Sequence, residues 1–214
     1  MNIVRRNKII IYPFIIFIVI GTVLYFFFSK PEIHIYINKH HTFFCDQFFK
    51  WATYGGDGRI ILLLGILLLL FKARYSVLII GTYLGSGIIV QVLKRFFFSN
   101  VHRPVKYFEG IYDLNIVEGV NLHSNHSFPS GHSASAFALF FSLAFIVRNK
   151  WLKLLFFFMA LLVAFSRVYI SQHFLIDIVV GSTIGVITAV VIYHYVSSTR
   201  AKWMDTSLIR LFHK

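Results

Sequence analysis

Long apolar blocks dominate this chain, and polar residues are confined to the short stretches between them. The first block, "IIIYPFIIFIVIGTVLYFFF" from Ile9 to Phe28, has almost no polar side chain, and comparable blocks recur to the C-terminal end. The pattern has neither the 3.6-residue period of an amphipathic helix nor the alternation of a half-buried strand. It is the signature of helices that cross a membrane. Six such segments are expected, at about 9–29, 58–71, 75–93, 132–147, 152–166 and 174–196. Several fall short of the about 20 residues a perpendicular span requires, so flanking residues must extend them or the helices must sit in a thin bilayer. The expected fold is therefore an all-α, polytopic bundle. No repeat, low-complexity tract or linker divides the chain, and residues 1–214 read as one membrane-embedded domain. Between the first two segments, residues 30–57 include "HHTFFCDQFFKWATYGGD", whose Phe and Trp suit an interfacial helix at the headgroup boundary.

Composition agrees with this pattern. The 214 residues are 57% hydrophobic, 18% aromatic and only 14% charged, with a mean hydropathy of +0.73, far from the balance of a soluble domain. The first block follows "MNIVRRNK" and so imitates a signal peptide. It is too long for a signal core and no small-residue cleavage site follows, so it reads as a retained anchor. A single cysteine, Cys45, excludes an intrachain disulfide and a thiolate metal cluster. A net charge of +13 in such a chain points to cytoplasmic Lys and Arg beside anionic lipid rather than to nucleic acid. With both termini inside, Arg5, Arg6, Lys8, Lys72, Arg74, Arg148, Lys150, Lys153, Arg200, Lys202, Arg210 and Lys214 lie on the cytoplasmic side. The expected location is the cytoplasmic (inner) membrane, with the polar site on the outer, periplasmic face.

On that topology three polar stretches meet at one membrane depth. "SRVYISQHFLID" places His173 and Asp177 four residues apart at a helix start, on one face. A carboxylate there can accept the Nδ1–H of the imidazole and leave Nε2 as an outward lone pair, the logic of an oriented nucleophile or base. A plain His–Asp pair stabilising a helix end is the alternative. "FPSGHSASAF" puts Pro129, Ser130 and Gly131 in a tight turn that opens a helix, whose free N–H groups and dipole favour an anion. Gly131 lets that anion approach the backbone, and His132 stands at the rim, where it can donate a proton. Ordinary helix capping would use the same residues. "LKRFFFSNVHRPVKYF" brings Lys94 and Arg103, with Pro104 fixing the chain after Arg103. Cations converging on an anion-binding helix start suit a phosphoryl group. Snorkelling toward headgroups explains Lys94 and Arg95 better than it explains Arg103.

These residues together resemble the type-2 phosphatidic acid phosphatase family, kin to vanadium haloperoxidases and bacterial acid phosphatases. "PSGH" at 129–132 and Ser-Arg-x5-His-x3-Asp at 166–177 match that family's second and third signatures, and the likeness extends over about residues 91–185. The first signature departs. Its usual form has six residues between Lys and Arg-Pro, whereas eight separate Lys94 from Arg103. The resemblance implies that His173 attacks phosphorus to form a phosphohistidine, that Asp177 orients it, and that His132 protonates the departing alkoxide and then activates water. It also implies that Lys94, Arg103, Ser130, Gly131, Ser166 and Arg167 hold the phosphoryl oxygens, without metal or other cofactor. Lys94 and Arg95, as neighbours on a helix, point about 100° apart, so only one should face the site. Lys94 shares a face with Gly87 and Gln91, and Gln91 is a polar residue deep in its segment. That face is expected to look inward, with Arg95 snorkelling to the headgroups.

The expected activity is hydrolysis of a phosphomonoester or pyrophosphate of a membrane lipid. Lipid A phosphates, a polyprenyl pyrophosphate such as undecaprenyl pyrophosphate, phosphatidylglycerophosphate and phosphatidate are the candidate substrates. A phosphotransferase with a lipid or sugar acceptor is the second reading, and a transporter or scaffold the third. The loop of residues 99–128 holds His102, His123 and His126 with Glu109, Asp113 and Glu118. They show no recognised ligand spacing, so the loop is read as shaping a headgroup pocket rather than binding metal. Gly181 and Gly185 form a G-x-x-x-G suited to close helix packing.

Overall fold

The computed structural model describes residues 3–209, and no strand occurs among them; Arg210 and Lys214, counted above on the cytoplasmic side, lie outside the described residues. In chain order the helices are α1 (Ile3–Arg6), α2 (Lys8–Phe27), α3 (Lys30–Asn38), α4 (Phe43–Ala52), α5 (Gly58–Leu67), α6 (Ala73–Val92), α7 (Pro104–Tyr107), α8 (Gly131–Ile146), α9 (Lys150–Tyr169) and α10 (Leu175–Ser198). A 3-10 turn, Thr53–Gly56, joins α4 to α5, and a π turn, Leu93–Phe97, extends α6.

Each of the six expected apolar segments coincides with a helix, but they are not six equivalent spans. Four are long and apolar enough to cross a membrane: α2, α6 with its π turn, α9 and α10. The α4–α5 pair adds a fifth only as a span bent by 53°. Helix α8 has 16 residues, about 24 Å at the usual rise, which is short of a hydrocarbon core. Its surroundings explain why that suffices. Every residue from Ser133 to Ser142 is buried, so all faces of α8 are covered by protein rather than lipid. Helices α6, α9 and α10 pack round it, and Phe14 of α2 meets Phe137 and Phe141 at ring distances of 5.5 and 5.4 Å.

Small residues set how closely α8 and α10 approach. A Cβ on Gly181 would lie 2.3 Å from Ser130 O, and one on Gly185 would lie 2.3 Å from Ala134 O. The G-x-x-x-G pair thus packs one helix of this chain on another, bringing the start of α10 onto the start of α8.

The segment before α5 differs from a single interfacial stretch. Ser29 and Glu32 form a capping box that starts α3, and Thr42 caps α4 through Cys45 N. Helix α4 exposes Phe43, Phe44, Phe48 and Trp51, a face suited to lipid, while α3 buries His34 and Asn38 against the bundle.

Candidate active site

Four chain ends converge at one end of the bundle: the π turn after α6, the start of α8, the end of α9 and the start of α10. Cross-links between backbone and side chain hold them in register. Ser130 N donates to Asp177 O at 2.9 Å, Lys94 Nζ to His126 O at 2.7 Å, and Arg103 Nη1 to Gln172 Oε1 at 2.7 Å. At the opposite end, Arg74 reaches Val196 O and Thr199 O, and Ala73 N donates to Thr206 O.

His173 and Asp177 are both buried, with the imidazole Nδ1 3.4 Å from Asp177 Oδ2. The same carboxylate oxygen accepts from Ser127 Oγ at 2.5 Å and from Phe174 N at 3.0 Å. The Phe174 bond explains the four-residue spacing: Asp177 is the third residue of α10 and caps it. One carboxylate therefore closes the helix start, ties in the 99–128 loop through Ser127 and faces the imidazole. Burial, then the charges of Arg103, Lys94, Arg167 and His132, hold His173 well below the usual histidine range. The ring is neutral at physiological pH, and a lone pair on it is available for attack.

Three cations share this buried region. Lys94, Arg103 and Arg167 are 7%, 9% and 6% exposed, and Asp177 is the one carboxylate among the motif residues. Arg103 Nε donates to Asn125 O at 3.0 Å, and Arg167 Nη1 to Thr53 Oγ1 at 2.6 Å. The Nε of Arg167 is buried with no hydrogen-bond partner. A buried guanidinium donor without an acceptor is costly, and an oxyanion satisfies it.

The serines take more local roles. Ser130 Oγ accepts from Ser133 N at 3.3 Å and from Ser133 Oγ at 2.9 Å, capping α8 while keeping its own proton. Ser166 donates to Val163 O at 2.7 Å, spending its proton on its own helix. Gly131 and His132 head α8, where backbone N–H groups have no intrahelical acceptor. His132 and Gly131 line a cavity of about 530 Å³ with Gly56, Gly87, Gln91 and Arg95. A second cavity, about 410 Å³, is bordered by Gln91, Lys94, Arg95, Arg103, His123 and Asn125.

Two sequence expectations change here. Gln91 is exposed, and it borders both cavities instead of facing a closed interior. Arg95 is exposed as expected, yet it lines the same cavity as its buried neighbour Lys94. Residues 123–126 of the loop fold against the π turn that carries the pair, with His126 O accepting from Lys94 Nζ, so one cavity is bordered by both neighbours.

Several contributors carry no motif. Ser127, Asn125 and Gln172 hold site residues, and Thr53 reaches Arg167 from the break between α4 and α5. Gly56 lies at that break because a Cβ there would be 2.7 Å from His132 O. From α3, His34 Nε2 lies 3.2 Å from Ser171 Oγ, and Asn38 bonds Asn115 across the loop. Ser171 has φ +55°, a left-handed conformation between α9 and His173, and α3 braces it. Of the loop histidines, His123 borders the cavity and His102 meets Asn125 Oδ1 at 3.0 Å.

The chain as a whole is similar to known proteins. The family model of the PAP2 superfamily matches residues 75–201, and the chain belongs to that superfamily. A lipid A 4'-phosphatase of Porphyromonas gingivalis is 28% identical over 154 residues, 69% of this chain; the chain spans about 65% of that curated relative's length. The crystal structure of Aquifex aeolicus LpxE matches with a TM-score of 0.68 and 29% identity, over 77% of this chain and 94% of that one. The PAP2-type phosphatidylglycerolphosphate phosphatase of Bacillus subtilis matches with a TM-score of 0.66 over 90% of this chain and 98% of its own, a likeness of fold at 20% identity. The chain is thus a multi-pass membrane protein of the PAP2 superfamily.

Proposed function

We propose that this protein is an integral-membrane lipid phosphatase that removes a phosphate monoester from a lipid A-type glycolipid. The observation that carries the reading is the excess of buried positive charge. Three enclosed cations, one with an unpartnered Nε, surround a carboxylate already committed to His173, Ser127 and Phe174. Uncompensated buried charge is strongly destabilising, and a phosphoryl group supplies the missing negative charge and acceptors. The likeness to a lipid A 4'-phosphatase supports the choice of lipid.

The proposed chemistry uses these residues in turn. The Nε2 lone pair of neutral His173 attacks phosphorus in line with the lipid oxygen, and the P–O bond to the lipid breaks. His132, at the cavity wall, gives its proton to the departing alkoxide. Water then attacks the phosphohistidine, His132 takes the proton from that water, and inorganic phosphate leaves. Lys94, Arg103, Arg167 and the N–H groups at the start of α8 neutralise the charge spread over the three phosphoryl oxygens. Little covalent work beyond positioning is required of the protein in such a transfer. The cation-rich opposite end, with Lys72, Arg74, Arg148 and Lys150, is assigned to the cytoplasmic side by the positive-inside rule, so the site faces outward.

The test is phosphate release by the purified full chain in detergent from a panel of lipid A, undecaprenyl pyrophosphate, phosphatidylglycerophosphate and phosphatidate. Lipid A is expected to be the best substrate. Hydrolysis of none of them overturns the reading; phosphate appearing in an added alcohol rather than in water favours phosphotransfer.

A further inference from the structure

The stretch that departs from the family's form also gives the site an extra cation. Eight residues separate Lys94 from Arg103, and the chain takes up part of this length as the π turn Leu93–Phe97. Such turns are frequent at functional positions. Lys94 and Arg95 border one cavity, with different exposure. Lys94 is buried and anchored on His126 O, at the depth of Arg103. Arg95 is exposed, has no acidic partner among the described residues, and lies in the wall shared by both cavities. Gln91, one turn below, also lines both, and His123 and Asn125 close the smaller one from the 99–128 loop.

The cavity is therefore more cationic than a single phosphoryl group needs. Lys94 and Arg103 border the smaller cavity as buried side chains, whereas Arg95, Gln91 and His123 border it as exposed ones. His123 adds to the argument: burial, then Arg103, Arg167 and Lys94, lower its affinity for protons. It thus faces the cations as a neutral ring, and a second anion nearby would offset them.

We propose that Arg95, with Gln91 and His123, forms a subsite for a second anionic group of the same substrate, adjacent to the phosphoryl group that is cleaved. Arg95 is then a specificity residue, and doubly charged lipids bind better than singly charged ones. The inference rests on the lipid-phosphatase reading above, and the experiment separates the two.

Steady-state kinetics of the full chain and of Arg95→Gln would be measured on a lipid A carrying a pyrophosphate at the cleavable position and on one carrying a single phosphate there. Loss of one charge-assisted hydrogen bond should raise KM for the pyrophosphate lipid about tenfold, with kcat within about twofold and the monophosphate lipid unaffected. In parallel, calorimetry would compare inorganic pyrophosphate with inorganic phosphate as bare probes. The unaltered chain should prefer pyrophosphate, and Arg95→Gln should lose that preference. An equal loss on both lipids, or no loss on either, overturns the subsite. If neither lipid is hydrolysed, the functional reading fails and the two binding constants alone decide: no preference for pyrophosphate, or one that survives Arg95→Gln, overturns the inference.

Discussion

The two ends of this bundle are both rich in cations, yet they treat them oppositely. At the end away from the site, Lys72 and Arg74 share Asp205 at 2.9 and 3.0 Å, and Arg74 also bonds backbone carbonyls. Asp205 is about half exposed, and Lys153, which is buried, is matched to Asn7. These cations have their partners within the chain. At the site end, Lys94, Arg103 and Arg167 are buried around one carboxylate, and a guanidinium nitrogen is left without an acceptor. Paired charge at a bundle end stabilises little and marks an anchor. Buried charge in excess of its counter-charge marks a ligand site, because folding alone gives no reason to enclose it.

The largest effect that tests this contrast comes from the nucleophile. His173→Ala should lower turnover by on the order of a thousandfold or more while leaving gel-filtration behaviour intact. Activity above about a percent of the original would remove His173 from the role. Asp177→Asn should cost less in turnover, since the ring is preserved, but should also lower the thermal midpoint because the same carboxylate caps α10 and bonds Ser127.

Next come the cations themselves. Arg167→Ala and Arg103→Ala should each lower kcat on the order of a hundredfold, by removing charge that stabilises the transition state. Arg74→Gln, at the other end, should leave kcat within about twofold and lower only the thermal midpoint. Equal losses of kcat at the two ends would erase the distinction between anchoring and ligand-binding cations.

A smaller effect sharpens how the site is held. Gly181→Ala would set a methyl 2.3 Å from Ser130 O, so overpacking of about 1–3 kcal/mol should appear as a lower thermal midpoint and lower activity together. Gly87 has nothing within 4 Å of where its Cβ would lie, and Gly87→Ala should leave the midpoint unchanged or slightly raised.

Acid should weaken the brace on Ser171. Burial, then His41, holds His34 down at about 4, against an ordinary 6.5. Between those values the unfolded chain binds a proton that the native His34 does not, so stability falls as pH drops from 6.5 toward 4. His34→Gln should flatten the fall in thermal midpoint over that window. An unchanged slope would show that His34 does not contribute to it.

The smallest expected effect is none at all. EDTA should leave the rate unchanged, because Lys94, Arg103 and Arg167 supply the positive charge; restoration of a lost rate by zinc or magnesium would revive the loop histidines as ligands. Orthovanadate, a phosphate-shaped anion able to become five-coordinate, should compete with substrate.

The chain's own pattern was enough for the membrane class and the helical composition. Apolar blocks report solvent directly, and Ser-Arg-x5-His-x3-Asp is legible because it lies within one short segment whose spacing is a helical turn. The G-x-x-x-G of α10 was readable for the same reason: local spacing controls which residues share a face. Tertiary structure decided what spacing along the chain does not encode. Helix α8 is too short by the usual length rule and works because other helices, not lipid, surround it. Thr53, Ser127, Asn125 and Gln172 belong to no motif and reach the site only through folding across 22 to 114 residues of sequence. Lys94 and Arg95 were expected on different faces because an α-helix separates neighbours by about 100°. Both border one cavity because residues 123–126 of the loop fold against the turn that carries them, a contact that residue types alone do not announce.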